Sequence, residues 1–218
     1  MILYGSTMSP FVRKVAAFAS EKGIELELKP TSIGDPDPEF RAASPFRKMP
    51  ALVDGDYRLA DSSAIIHYLE ALHPEPPLIP ADPRERGRVV WYEEFADTML
   101  MACGGKIFFN RVVAPLFLKR DGDLAVAEAA ERDELPPLLE YLEGVMPESG
   151  YLVGDRLTLA DLAVASPFAN FSHVGIAIDD ARFPKLSAFL GSILSRPSFS
   201  SHIEREAAFL ARARSGRK

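Results

Sequence analysis

Residues Met1–Gly23, MILYGSTMSPFVRKVAAFASEKG, decide the fold of the first part of the chain. A short apolar run is followed by a polar turn and then, from Ser9-Pro10 onward, by apolar residues at helical spacing. Ser is favoured at a helix N-cap, Pro at the first helical position and Gly just beyond the last one, so the stretch predicts strand, loop and helix. Ser9 is therefore expected at a helix N-terminus, where unpaired N–H groups and partial positive charge favour a thiolate or carboxylate.

The residues up to 72 predict a small mixed sheet with helices. Alternating apolar residues predict a strand over 24–30, and a short helix is expected over 39–43 after a Pro- and Gly-containing loop. Two strands, 51–53 and 57–59, are joined by Asp54-Gly55-Asp56, a strong hairpin signal. A helix over 64–72 follows, with Asp61 or Ser62 as its cap. The predicted order is β-α-β-α-β-β-α.

A Pro-rich segment then separates two domains, because prolines at this density fit neither a helix nor a central strand. The sequence predicts a first domain over 1–76, a linker over 77–84 and an all-helical domain over 85–218, so the fold class is α+β. Helices are expected over 84–109, 124–145, 158–174, 184–194 and 197–212, followed by a frayed tail. Gly104-Gly105 is expected to bend or break the first of these, and Pro136-Pro137 to kink or restart the second. Thr158 and Asp161 form a capping-box pattern at the start of the third.

Composition excludes several classes of protein. The formal charge of −6 argues against a nucleic-acid partner, which would need a basic face. One Cys rules out an intrachain disulfide framework and fits a reducing compartment, so a cytoplasmic location is expected. The four His residues and the Cys have no metal-ligand spacing, so no metal is expected. No signal peptide and no membrane span are predicted.

Three motifs of the first domain are expected to meet in one site. Ser9 opens the first helix, and Lys48-Met49-Pro50 precedes the third strand, where a cis-proline would leave the Met49 backbone free to pair with an extended peptide. Asp61-Ser62 opens the next helix and offers N–H groups and a hydroxyl to a carboxylate, and an acid to an ammonium. With Lys48 available for a second carboxylate, the site suits a short peptide that has carboxylates at both ends and one amine.

These motifs resemble those of the glutathione S-transferase superfamily along residues 1–212. Ser9-Pro10-Phe11 is similar to its N-terminal catalytic motif, Met49-Pro50 to its cis-proline motif and Asp61-Ser62 to the motif that holds the γ-glutamyl group. Gly154–Asp161 is similar to the buried capping box of its second domain. The resemblance is to a serine-type, bacterial-like member of unassigned class. It implies a thioredoxin-like first domain, glutathione as co-substrate, a role in detoxification and a homodimer.

Ser9 is the expected donor of a hydrogen bond to the glutathione thiolate, because a hydroxyl donor and a helix N-terminus both favour the ionised thiol. Ser6 and Thr7 remain alternative donors in the same loop, whereas Tyr4 is expected to pack in the core. Arg13 either steers the anion or is solvated or ion-paired. Since Ser cannot form a mixed disulfide, thiol–disulfide reduction is disfavoured.

One stretch departs from the superfamily pattern. Several classes place a basic or amide residue before the cis-proline to bind the glycyl carboxylate, but Gly34-Asp35-Pro36-Asp37 is acidic here. Lys48 then acts alone or with Arg41 or Arg47, and glutathione binding is expected to be weak.

The resemblance places the electrophile between the domains, against a mostly apolar wall. The candidates are Met8, Met101, Phe108, Phe109 and Arg111. The predicted activity is addition or substitution by glutathione on a small apolar electrophile, together with possible reduction of organic peroxides. The alternatives are a glutathione-dependent isomerase or dehalogenase on the same fold, and a non-catalytic binding or scaffolding protein.

Overall fold

The chain divides into two compact units, Met1–Ile79 and one that begins at Pro80; the computed structural model describes residues 1–32 and 34–215. Pro80 lies inside the predicted linker 77–84. Leu78 and Ile79 are buried, and their N–H groups donate to Glu70 Oε1 at 3.1 and 3.0 Å, so these residues belong to the first unit. Pro83 already begins a helix that Asp82 caps.

The first unit is built on a four-stranded mixed sheet with the strand order β2-β1-β3-β4. Its strands are β1 (Ile2–Tyr4), β2 (Glu27–Lys29), β3 (Ala51–Asp54) and β4 (Tyr57–Ala60). Strand β1 runs parallel to β2 and antiparallel to β3, which forms a hairpin with β4. The helices are α1 (Pro10–Glu21), α2 (Pro38–Ala43) and α3 (Ser62–Leu72). The predicted order β-α-β-α-β-β-α is confirmed.

Helices cover both faces of this sheet. Tyr4 of β1 stacks on Phe40 of α2, with the ring centroids 6.0 Å apart, and Ala51 and Val53 of β3 join the same cluster. Because side chains alternate along a strand, Leu3 points to the opposite face. On that face lie the packed helices α1 and α3, whose fully buried residues are Val12, Val15, Phe18, Ile65, Ile66 and Leu69. Strand β1 and the start of α1 are thereby held in a rigid core.

The second unit begins with one long helix, Pro83–Phe117. It is continuous through Gly104-Gly105, so the predicted break there is wrong. A Cβ on Gly104 would lie 3.1 Å from the Phe171 ring, so this glycine lets another helix approach closely. The irregularities are π-helical segments instead, Phe95–Leu100 and Phe109–Phe117, and the second contains Pro115. A π-helical turn accommodates a residue that cannot donate a backbone hydrogen bond.

The same long helix is apolar and long enough to cross a membrane, with a mean hydropathy of 1.3 in its most apolar window. However, 44% of that window is buried within the protein. Val89, Leu100 and Ile107 are fully buried. It is a core helix of the second unit.

Four further stretches of helix complete the described part of the second unit. The first runs over 124–145 without interruption and contains a π-helical segment, Ala130–Glu134, that ends two residues before Pro136. The prolines neither end nor restart this helix. The others are Leu159–His173, Pro184–Leu194 and Pro197–Ser215. The last includes residues 213–215 of the predicted tail, whereas 216–218 lie outside the described residues.

The helix Leu159–His173 is buried along nearly its whole length and starts at a capping box of Thr158 and Asp161. Asp161 Oδ2 accepts hydrogen bonds from Thr158 N at 2.7 Å and Thr158 Oγ1 at 3.1 Å, while Oδ1 accepts one from Leu152 N at 2.8 Å. Burial raises the pKa of Asp161 to about 6, although these hydrogen bonds lower it. Asp161 therefore fixes both the helix start and the preceding loop.

Candidate functional site

Ser9 occupies the N-cap of α1 with extended backbone, and Pro10 is the first helical residue. Its hydroxyl makes no capping hydrogen bond, although Ser usually caps through that group. Its main chain is fixed instead, because Ser9 N donates to Ser6 O at 2.9 Å and Ser9 O accepts from Arg13 N at 3.0 Å. Half-buried Ser9 thus presents its hydroxyl at a helix N-terminus that has no acidic residue in its first turn.

Gly5 brings the loop after β1 against the segment before β3. Its φ of +150° favours glycine, and a Cβ there would lie 2.5 Å from Val12 Cγ2 and 3.4 Å from Met49 Cβ. Any side chain at this position would push α1 or Met49 away. Sequence reasoning missed this residue, because its role depends on contacts with two distant segments.

Met49 lies beside this loop, and its peptide bond to Pro50 is cis. Within the described ranges 1–32 and 34–215, the N–H and C=O of Met49 take part in no loop or turn hydrogen bond of the backbone. The preceding turn is held by buried Ser44, whose Oγ donates to Lys48 O at 2.7 Å and accepts from Lys48 N at 3.0 Å. The side chain of Lys48 is exposed. Ser44 is a second residue that sequence reasoning missed.

Asp61 caps α3 from an unusual backbone conformation, with φ of +81°. Its Oδ1 accepts hydrogen bonds from Ser63 N at 2.9 Å and Ala64 N at 3.1 Å. Two of the N–H groups expected to receive a ligand carboxylate are therefore already occupied by Asp61. The groups left at this helix end are Asp61 Oδ2 and the buried Ser62. Positive φ is uncommon for a residue other than glycine, and residues held in such strained conformations cluster at ligand-binding and active sites.

The other predicted residues near Ser9 have different environments. Ser6 Oγ accepts a hydrogen bond from Met8 N at 3.3 Å, and Thr7 is half-buried. Tyr4 is 2% exposed and packs in the core, as expected. Arg13 is fully buried, which contradicts the alternative that it is solvated. Met8, an electrophile candidate, is half-buried in the loop next to Ser9.

Of the two acids in the stretch before α2, Asp37 is paired with a cation, whereas the Asp35 carboxylate accepts hydrogen bonds from the backbone N–H groups of Ser32 and Asp37. Asp37 caps α2 through Glu39 N at 2.8 Å and Phe40 N at 3.2 Å, and its other oxygen pairs with Lys29 Nζ at 2.7 Å. The Lys29 hydrogen bond lowers the pKa of Asp37. Glu39 pairs with Arg58 at 3.1 Å. Sequence reasoning saw only the negative charges, because these partners come from β2 and β4.

The remaining electrophile candidates lie on the long helix of the second unit. Phe108 is 7% exposed, whereas Phe109 is 36% exposed and contacts the Arg120 guanidinium, 5.5 Å from its ring centre. Arg111 forms an ion pair with Glu131, and Met101 is half-buried.

The single cysteine and the possible metal ligands were also compared with the requirements of a reactive site. Burial raises the pKa of the Cys103 thiol to about 11, so it stays protonated at neutral pH. Within residues 1–32 and 34–215, no group of three His, Cys, Asp or Glu residues is placed to hold a metal ion.

Comparison with known proteins decides the family. Residues 3–77 match the family model described as "Glutathione S-transferase, N-terminal domain", and residues 106–197 match the one described as "Glutathione S-transferase, C-terminal domain". The chain belongs to the glutathione S-transferase family. A glutathione S-transferase of Hyoscyamus muticus is 34% identical over 210 residues, covering 94% of this chain and 98% of that protein.

Solved glutathione S-transferases share the whole fold. Glutathione transferase F7 of Populus trichocarpa is 28% identical and covers 93% of this chain and 97% of its own, with a TM-score of 0.82. A glutathione S-transferase of Methylobacterium radiotolerans, solved in complex with glutathione sulfonate, is also 28% identical, covers 93% of both chains and has a TM-score of 0.76. The first unit is thus the thioredoxin-like domain of this family, and the second is its helical domain.

Proposed function

We propose that this glutathione S-transferase family member is a glutathione transferase in which Ser9 stabilises the glutathione thiolate. The observation that carries the proposal is the Ser9 hydroxyl, which lies at the N-terminus of α1 and is not used as a cap. The thiolate attacks a small apolar electrophile. In substitution the leaving group departs with the electron pair, and in addition the neighbouring atom gains a proton. With organic peroxides, the thiolate attacks one oxygen of the O–O bond, which forms glutathione sulfenic acid and releases the other oxygen as the alcohol. A second glutathione then attacks the sulfenic sulfur, which gives glutathione disulfide and water.

The free thiol needs this activation, because its pKa of about 8.5 leaves only a few per cent as thiolate at neutral pH. A hydroxyl that donates to sulfur and a helix N-terminus both stabilise the anion, and each unit of pKa depression corresponds to about 1.4 kcal/mol. Ser9 acts as a hydrogen-bond donor and not as a nucleophile. Ser6 and Thr7 are the alternative donors, and the oxygen of Ser6 is already engaged by Met8.

Glutathione is proposed to lie along Met49, with its main chain paired to the N–H and C=O of that residue, which form no backbone hydrogen bond with the described part of the chain. Its γ-glutamyl end would be held by Asp61 Oδ2 and Ser62 at the start of α3. The exposed Lys48 is proposed to meet the glycyl carboxylate at the other end. The ion pair of Asp37 with Lys29 supports this assignment, because it reduces the repulsion expected from the acidic stretch.

The electrophile is proposed to be small and apolar, bound by residues drawn from Met8, Met101, Phe108, Phe109 and Arg111. The exposed face of Phe109 supports a contact with an apolar ligand, whereas the ion pair of Arg111 with Glu131 leaves Arg111 less available. The protein is further proposed to be a cytoplasmic homodimer that acts in detoxification. Phe46, which is 87% accessible in the described chain, is the residue of the first unit that we propose for the contact with the partner.

The test is a titration of enzyme-bound glutathione by ultraviolet absorbance of the thiolate, with wild type, Ser9→Ala and the matched loop variant Ser6→Ala. We expect the bound thiol to ionise below its free pKa in wild type and in Ser6→Ala, and to lose that shift in Ser9→Ala. A shift that survives in Ser9→Ala but disappears in Ser6→Ala would move the donor to Ser6. The absence of glutathione binding at millimolar concentration would favour the scaffolding alternative.

Product analysis separates the transferase from its catalytic alternatives. Incubation with a cis-enone or a haloalkane, each with and without glutathione, identifies the product. We expect stable thioether conjugates that retain glutathione. An isomerised product with glutathione released unchanged would identify an isomerase, and halide release without a stable conjugate would identify a dehalogenase.

A further inference from the structure

A cavity lies between the ends of three helices of the second unit. Its volume of about 350 Å³ is at the lower end of the range in which proteins bind small ligands. It adjoins the last turns of the helices Leu159–His173 and Pro184–Leu194 and the first two turns of Pro197–Ser215. The residues proposed to bind glutathione lie in the first unit, so this cavity is a separate feature of the molecule.

Apolar side chains from all three helices form one wall of the cavity. Ala169 is 1% exposed, and Leu194 and Ile203 are half-buried. Each of them comes from a different helix, so tertiary packing brings them together. A ligand with an apolar body would cover the surface that these side chains leave accessible, which is favourable in proportion to the area removed from water.

Polar side chains form the other wall, and most of them have no partner. The hydroxyls of Ser172 and Ser200 and the carboxylate of Glu204 make no hydrogen bond or ion pair with any residue of the ranges 1–32 and 34–215. Ser200 and Glu204 lie one turn apart on the same face of their helix. The remaining polar residue of the wall, Ser195, is engaged, because its Oγ donates to Ser192 O at 3.1 Å.

The charge of this wall is negative. Among the described residues, Glu204 is the one ionisable group that lines the cavity. The nearby cations are held elsewhere: Arg205 Nε donates to Ser201 O at 2.8 Å on its own helix, and His173 is paired with buried Glu206 at 2.8 Å. The Glu204 carboxylate is therefore available to a positively charged ligand.

The helix ends around the cavity also favour a cation. Two of the three helices end there, and a helix C-terminus carries partial negative charge. The third helix begins there, and its N-terminal N–H groups would favour an anion. However, Phe199 N and Ser200 N both donate to Arg196 O at 2.9 Å, so these two donors are already used.

We propose that this cavity is a second ligand site, which binds a small primary amine with an apolar body. Such an amine is protonated at neutral pH, like the side chain of Lys, and then has three N–H donors. Glu204, Ser172 and Ser200 supply the acceptors, and the apolar wall contacts the body of the ligand. A carboxylate ligand would be repelled by Glu204, and a neutral alcohol would lack the matching charge. The site goes beyond the proposed transferase function and does not depend on it.

The experiment titrates the protein with three probes of similar shape, 2-phenylethylamine, 2-phenylethanol and 3-phenylpropanoate, and follows the methyl NMR signals of Leu194 and Ile203. We expect the amine to shift both signals and to bind roughly fivefold more tightly than the alcohol, because pairing with an exposed carboxylate is a modest effect. The carboxylate probe should bind more weakly than the alcohol. In Glu204→Gln the amine and the alcohol should bind equally. The matched control is Glu128→Gln, an exposed glutamate of the same unit that does not line the cavity, and it should keep the wild-type preference.

The other outcomes overturn the inference. If no probe shifts the signals of Leu194 and Ile203 at millimolar concentration, the cavity is not a ligand site. If the alcohol binds wild type as tightly as the amine, or if Glu204→Gln keeps the full preference, Glu204 does not select a cation. Saturating glutathione should leave the amine titration unchanged, and displacement of the amine by glutathione would contradict a second site. None of these results bears on the role of Ser9, so the transferase proposal stands or fails separately.

Discussion

Asp161 is expected to make the stability of the second unit pH-dependent in a range where ordinary carboxylates no longer titrate. Its carboxyl is fully buried, and burial raises its pKa from 3.8 to about 6. Because the folded pKa lies above the unfolded one, its contribution is fully present below pH 3.8 and is lost as the pH rises through about 6. The shift of about 2 units corresponds to about 3 kcal/mol in total, of which about 1 kcal/mol falls between pH 5 and pH 7.

Two variants separate charge from hydrogen bonding. Asp161→Asn cannot titrate, so the free energy of unfolding of wild type relative to Asp161→Asn should decrease by about 1 kcal/mol from pH 5 to pH 7. Asp161→Ala leaves the buried N–H groups of Leu152 and Thr158 without an acceptor, and we expect a loss of about 2–4 kcal/mol at pH 7. The loss of unfolding free energy should be about 1 kcal/mol larger at pH 5 than at pH 7, because protonated Asp161 stabilises the wild type more at pH 5.

The assay is urea unfolding followed by the fluorescence of Trp91, the one tryptophan of the chain, which lies in the same unit as Asp161. Measuring each variant against wild type at every pH cancels the titration of all other groups. A difference between wild type and Asp161→Asn that is constant from pH 5 to pH 7 would refute the reasoning. It would mean that the hydrogen bonds from Leu152 and Thr158 outweigh burial and keep Asp161 ionised.

Two further predictions concern local packing and assembly. A Cβ on Gly122 would lie 1.9 Å from Asn110 O, so Gly122→Ala should lower the free energy of unfolding by about 1–3 kcal/mol. Gly105 lies in a helix with open space around the position of a Cβ. Gly105→Ala should therefore leave the free energy of unfolding unchanged or raise it by up to about 1 kcal/mol. Equal urea midpoints for the two variants would contradict this account. Phe46→Ser should shift the protein from dimer to monomer in light scattering. Its unfolding midpoint should not fall, because the Phe46 ring is 87% exposed within the chain. If light scattering gives a mass of 24.0 kDa for the wild type at working concentration, the dimer is excluded.

Local sequence patterns were sufficient for the order of elements. The Ser9-Pro10 start of α1, the Asp54-Gly55 hairpin and the Thr158–Asp161 capping box all involve residues close in sequence. Such patterns act through backbone conformation and nearby hydrogen bonds, so they are readable without the fold. The same holds for the family motifs, since each occupies a few adjacent residues.

The predicted irregularities of the helices were less reliable. Gly104-Gly105 was expected to bend or break the long helix, but the helix does not break there, and the missing side chain of Gly104 makes room for the ring of Phe171. Pro136-Pro137 was expected to kink or restart the second helix, but the helix continues through the prolines after the π-helical segment Ala130–Glu134. For Gly104 tertiary packing outweighs local propensity, and a packing partner far away in sequence cannot be identified from the residue itself.

The sequence by itself determined the family motifs, the placement of Ser9 at a helix start and the alternation of strands and helices, because these depend on neighbouring residues. Only the tertiary structure decided which polar groups are available. Asp61 Oδ1 accepts the capping hydrogen bonds of α3, and Asp37 forms an ion pair with Lys29. The side chains of Ser9 and Arg47 have no hydrogen-bond partner among the described residues. Availability depends on distances between segments that the chain brings together on folding, and a linear pattern does not contain those distances.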